Sequence, residues 1–84
     1  MSVKVLYFAG LREALGIARE DVELAAGIDS VGELRNRLAA RGDDWQPLAA
    51  TRNLRVAVNQ TLCGFDAAVR DGDEVAFFPP VTGG

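Results

Sequence analysis

Apolar and polar residues alternate at the start of the chain. Val3-Lys4-Val5-Leu6-Tyr7-Phe8 is rich in β-branched and aromatic residues and is closed by Gly10, which predicts a first strand. Leu11 and Leu15 are four apart and Gly16 follows, the pattern of one or two helical turns with a glycine stop. Arg19 to Leu24 alternates weakly around Val22 and Leu24 and reads as a second strand. Ser30-Val31-Gly32-Glu33 places a hydroxyl at an N-cap and a carboxylate three residues on, so the main helix is expected to start there. Val31, Leu34 and Leu38 give it an apolar stripe, and Gly42 is the expected end. Trp45 and Leu48 flank Pro47 in a connecting segment with room for a short helical turn. Leu54 to Val58 alternates cleanly as a third strand, and Leu62 to Phe65 suits a short edge strand. Arg70-Asp71-Gly72-Asp73 is a turn signal before a last strand, Glu74 to Phe78.

This order predicts one mixed sheet of about five strands wrapped on one main helix with short extra helices, an α+β fold of β-grasp type. Periodicity alone leaves the strand order open. The domain is expected to occupy residues 1–78, with an extended tail over 79–84.

The alternation sorts the strands into two faces. Val3, Val5, Tyr7, Leu54, Val56, Val58, Val75 and Phe77 fall on the face that the helix would cover. Lys4, Arg55 and Glu74 mark the other face as wet, yet Leu6, Phe8 and Phe78 lie there too, and Leu62 is a candidate to join them. An apolar patch with a polar border is a candidate protein-binding surface. The competing reading is that Trp45 or a loop folds over these side chains.

The end of the chain is the second candidate. In Pro79-Pro80-Val81-Thr82-Gly83-Gly84 two prolines stop strand pairing and favour extended backbone, so the tail is expected to project. Six residues at about 3.3 Å each would reach some ~20 Å. Gly83 and Gly84 lack side chains and could pass a narrow channel. A free carboxylate is a poor electrophile, so Gly84 would need activation, as by adenylation, before accepting sulfur or an amine. No Walker-type loop is present to perform that step.

Composition narrows the picture further. An 84-residue chain, 49% hydrophobic and 25% charged, can bury one core and has little room for a deep pocket. Its net charge of −3 argues against a nucleic-acid partner, and Arg35, Arg37 and Arg41 read as a solvated helix face. The sequence contains no histidine, the commonest general base and metal ligand. Cys63 is its only cysteine and reads as a packing residue rather than a redox or persulfide site. No signal-peptide cleavage site follows Met1, and no apolar run approaches the ~20 residues that span a bilayer. A cytoplasmic protein without a membrane partner is expected.

Val58-Asn59-Gln60-Thr61-Leu62, the opening Lys4-Val5-Leu6-Tyr7-Phe8-Ala9 with Arg12-Glu13, and the last fourteen residues from Asp71 resemble the ubiquitin-like small subunits of molybdopterin synthase. The resemblance spans nearly the whole chain and is tightest at the end; from Ile17 to Asn53 it is mainly one of pattern. It implies a sulfur carrier without turnover of its own. An E1-like adenylyltransferase would use ATP to adenylate Gly84, and a sulfur-donor protein would convert it to a thiocarboxylate. Pro80, Val81, Thr82 and Gly83 would thread the terminus into a large subunit, in a 2:2 heterotetramer, for sulfur delivery to cyclic pyranopterin monophosphate. Phe8, Leu62 and Phe78 align with the family's partner-binding patch, and Arg12 is a candidate polar contact. No bound cofactor or metal is implied. The alternatives are a sulfur carrier for thiamine biosynthesis, a ubiquitin-like protein modifier, and an interaction module with an inert tail.

Overall fold

Strand β1 (Ser2–Tyr7) lies near the middle of a five-stranded mixed sheet of order β2-β1-β5-β3-β4 in a computed structural model that describes residues 1–51 and 53–80. β2 (Arg19–Glu23) runs antiparallel to β1, β5 (Glu74–Phe78) runs parallel to it, and β3 (Arg55–Val58) runs antiparallel to β5. β4 (Thr61–Cys63) closes the far edge as a hairpin with β3. The parallel β1–β5 pair sits centrally because the chain between its strands supplies the covering helices.

Helix α1 (Ala9–Leu15) follows β1 and ends on Gly16, whose φ of 75° is the left-handed cap that glycine adopts without strain. Phe8 is not the last residue of the strand. It is the extended N-cap of α1, and Gly10 lies inside that helix rather than closing the strand. Helix α2 (Val31–Ala39) begins as expected: Ser30 Oγ accepts from the Glu33 amide at 3.2 Å and donates to the Glu33 carboxylate at 3.0 Å. The expected end at Gly42 is corrected to Ala39. The Ala40 and Arg41 amides turn back onto the Asn36 and Leu38 carbonyls, and Gly42, at φ 146°, instead opens a 3₁₀ turn over Asp43–Trp45. Helix α3 (Pro47–Ala50) follows, with proline at its first position, where no amide donor is needed.

One cluster fills the space between sheet and helices. Val3, Val5, Tyr7, Val56, Val75 and Phe77 come from the sheet, and Leu11, Val31, Leu34, Leu38 and Leu48 from the helices, all buried. Val58, expected in this set, is only partly buried at its edge. Gly32 is the point of closest approach between α2 and the loop after β4. Its amide donates to the Phe65 carbonyl at 2.8 Å, and a Cβ there would stand 3.2 Å from that oxygen.

The arginines on and after α2 are more engaged than a solvated face requires. Arg35 stacks on Phe65 at 4.6 Å, and Arg41 stacks on Trp45 at 4.5 Å while donating to Glu20 at 2.8 Å; Arg37 alone is simply exposed. Glu20 also accepts from the buried Tyr7 hydroxyl at 2.9 Å, so one carboxylate ties β1, β2 and the end of α2 together. Burial first, and then this bond to Glu20, raises the Tyr7 pKa well above its ordinary value.

Candidate functional site

The sheet register fixes which side chains share the face opposite the helices. Leu6 pairs with Ala76, Ala76 with Ala57, and Ala57 with Leu62, so one apolar row crosses four strands. Directly opposed residues point to the same side of a sheet. Phe78, paired with Arg55, stands in the next row beside Phe8, whose amide donates to the Phe77 carbonyl at 3.2 Å. Leu62 is 65% exposed and Phe8 47% exposed; Leu6 and Phe78 are half-buried by their neighbours.

The position of Leu62 depends on a tight turn. Asn59 and Gln60 both have positive φ, 50° and 70°, as a two-residue hairpin of type I′ requires. Asn59 suits that conformation, and its side chain also holds the β5 turn, accepting from the Glu74 amide and donating to Asp73, both at 3.0 Å. A shift of one residue in this hairpin would turn Leu62 to the other face.

The structure therefore brings Phe8, Leu62 and Phe78 onto one face, as the sequence reading expected. Trp45 does not cover them. Its ring packs edge-on against Tyr7 at 5.9 Å, and Tyr7 belongs to the buried face. Arg12 is exposed on α1, outside the rows that the register defines. Cys63 is half-buried against the core, with its Sγ 3.9 Å from the Val56 carbonyl, the environment of a packing residue.

The tail leaves this face at its Phe78 end. Pro79 and Pro80 are half-buried, and Pro80 lines a groove of about 370 Å³ with Leu54, Arg55, Cys63, Gly64 and Phe65. The expected threading residues Val81, Thr82 and Gly83, and the expected reactive Gly84, lie outside the described residues. Arg19 was not singled out from the sequence. The signal was present, because β2 buries Val22 and turns Glu20 inward, which leaves Arg19, Asp21 and Glu23 on the open face. Among the described residues no cluster of three or more acidic, cysteine or histidine side chains could hold a metal ion, and no helix is long and apolar enough to cross a membrane.

One main helix and two shorter ones packed on one face of a five-stranded mixed sheet define a ubiquitin-like β-grasp protein. More narrowly, the chain belongs to the ThiS family, whose model matches residues 5–84. It is 50% identical over 82 residues to the molybdopterin synthase sulfur carrier subunit of Escherichia coli, a match covering 98% of this chain and 99% of that one. Among solved structures it resembles a putative molybdopterin converting factor subunit 1 from Pyrococcus furiosus, with a TM-score of 0.79 and 30% identity over 96% of this chain and 99% of the other. SAMP1, a small archaeal modifier protein from Haloferax volcanii, is similar at a TM-score of 0.76 and 28% identity, both chains being covered completely.

Proposed function

We propose that this chain is the sulfur carrier subunit of a molybdopterin synthase and that Gly84 carries the sulfur. The observation that supports this most is the 50% identity, over almost the full length of both chains, to a relative that bears that name. The uncovered apolar row beside the base of the tail supports it further, since a carrier must dock while its terminus reaches into its partner.

The chemistry follows from the terminus. An E1-like adenylyltransferase joins the Gly84 carboxylate to the AMP of ATP and releases pyrophosphate. The terminal sulfur of a persulfide on the donor protein attacks the acyl carbon and AMP leaves; a thiol then attacks the donor's own sulfur, forming a disulfide with it and releasing the thiocarboxylate. The sulfur then passes to cyclic pyranopterin monophosphate inside the large subunit, and water restores the carboxylate. A dithiolene has two sulfurs, so two charged carriers discharge per molybdopterin, which suits a 2:2 assembly. Phe8, Leu62 and Phe78 bind the large subunit and the activating enzyme, and Arg12, exposed on α1, adds a polar contact. The chain holds no cofactor and turns nothing over alone, and the acid and base groups of sulfur transfer belong to the large subunit. It works in the cytoplasm.

The test is the intact mass after incubation with the activating enzyme, ATP and a sulfur source. Fragment ions must locate the change, because oxidation of Met1, Trp45 or Cys63 adds nearly the same mass as exchange of oxygen for sulfur. Exchange confined to Gly84 is the expected result. An unmodified terminus, with an activator competent on another carrier, would overturn the proposal. The likeness to SAMP1 favours a second reading, a protein modifier. That reading requires adducts of this chain on other proteins in cells.

A further inference from the structure

The open sheet face is electrically divided along its strands. At the end from which the tail departs, Arg19 stands beside Leu6 and Arg55 beside Phe78. Both are exposed, and neither takes part in the two ion pairs among the described residues, Arg41–Glu20 and the Met1 ammonium with Glu23. Toward the other end the same face carries Asp21, Glu23 and Glu74, with Lys4 as the cation between them. Strand geometry puts Arg55 about 14 Å from Glu74 and Arg19 about 13 Å from Glu23, whereas Asp21, two residues along the same face and opposite Lys4, stands about 7 Å from Arg19. The two longer spans exceed the ~8 Å over which physiological salt screens charge, so Arg55 lies clear of the acidic end and Arg19 stands at its border, where Lys4 offsets Asp21. The tail end is therefore locally positive on a chain whose net charge is −3.

We propose that this division is a docking code, and that Arg19 and Arg55 select a partner protein whose apolar groove is edged by carboxylates where the tail enters. The inference rests on the carrier reading above and adds residues to it. The apolar row supplies contact area, whereas placed charges set orientation and encounter rate. A partner approached with the acidic end of the face leading would be repelled by those carboxylates, so the tail is presented first to the entrance. Net charge alone would favour a basic partner surface everywhere, and the local arginines invert that preference at the one place where the tail must enter.

The experiment measures the association rate of the full chain with its purified molybdopterin synthase large subunit at about 50 mM and 500 mM salt. Arg19→Glu and Arg55→Glu are compared with Arg37→Glu, which changes net charge equally on the exposed helix surface. Thermal melts confirm that all three variants are folded. The expected result is association slowed by about threefold or more for each open-face variant and about tenfold or more for the pair at low salt. Arg37→Glu should stay within about twofold of the starting protein, and the differences should shrink at high salt. Equal slowing by all three variants, or none by the open-face pair, overturns the proposal while binding by the starting protein leaves the carrier reading intact. Failure of the starting protein to bind the large subunit overturns both. Loss of a homodimer in the open-face variants, with unchanged large-subunit association, assigns the arginines to a second copy and also overturns it.

Discussion

Leu62 and Phe77 lie fifteen positions apart in sequence and on opposite sides of the sheet, and the contrast between them separates binding from stability. Phe77 is fully buried and Leu62 is 65% exposed. Phe77→Ala should cost about 3–5 kcal/mol of stability through the cavity it leaves. Leu62→Ala should stay within about 0.5 kcal/mol of the starting stability yet weaken large-subunit binding about tenfold or more, in the manner of an interface anchor; denaturant melts and titration calorimetry read the two effects. Tyr7 gives a second residue-scale test, because it is the only tyrosine. Its pKa is raised in the fold, so the folded chain holds the phenolic proton more tightly than the unfolded chain does. The associated stability is complete below the unfolded pKa near ~10 and is lost as pH rises above it. Phenolate absorbance should therefore appear together with unfolding rather than as a separate step near pH ~10, and Tyr7→Phe should flatten the alkaline loss. A phenolate step in a chain that remains folded would contradict the Tyr7–Glu20 geometry.

Among the elements, α2 shows how local signals and packing cooperate. The Ser30–Glu33 capping pair was legible because a hydroxyl and a carboxylate three residues apart satisfy orphan amides whatever the rest of the chain does. Ser30→Ala should cost about 1 kcal/mol in a denaturant melt, with large-subunit binding unchanged. The end of α2 was not legible in the same way. Glycine at 42 suggested the stop, but the helix yields three residues earlier, where Arg41 swings toward Glu20 and Trp45. Glu20 is distant in sequence, and no local rule contains it. The hairpin at Asn59–Gln60 carries the opposite lesson: Leu62 was only a candidate for the open face until two left-handed residues set the register opposite Ala57.

For the whole molecule, the proposed carrier role makes the fold a handle for its terminus. The core lies between sheet and helices, the apolar row lies on the other side, and the tail starts where the row meets Phe78. Removing Gly84 should therefore leave the melting temperature within about 1 °C, since the described core runs from Val3 to Phe77, and should abolish thiocarboxylate formation as read by intact mass. A truncated chain that still supports molybdopterin formation would reduce the tail to a spacer.

The elements, the main-helix cap, the two-faced strands and the resemblance carried by the closing fourteen residues are all legible along the chain. Alternation, capping and turn chemistry act within a few residues, and for this reason they can be read without coordinates. The strand order, the side to which Trp45 turns, the Glu20 tie between Tyr7 and Arg41, and the placing of Arg19 and Arg55 toward the tail end with Glu23 and Glu74 toward the other emerge only when the chain folds. Each of these depends on which strands become neighbours, and that choice is made by burial of the shared core rather than by any short stretch of chain.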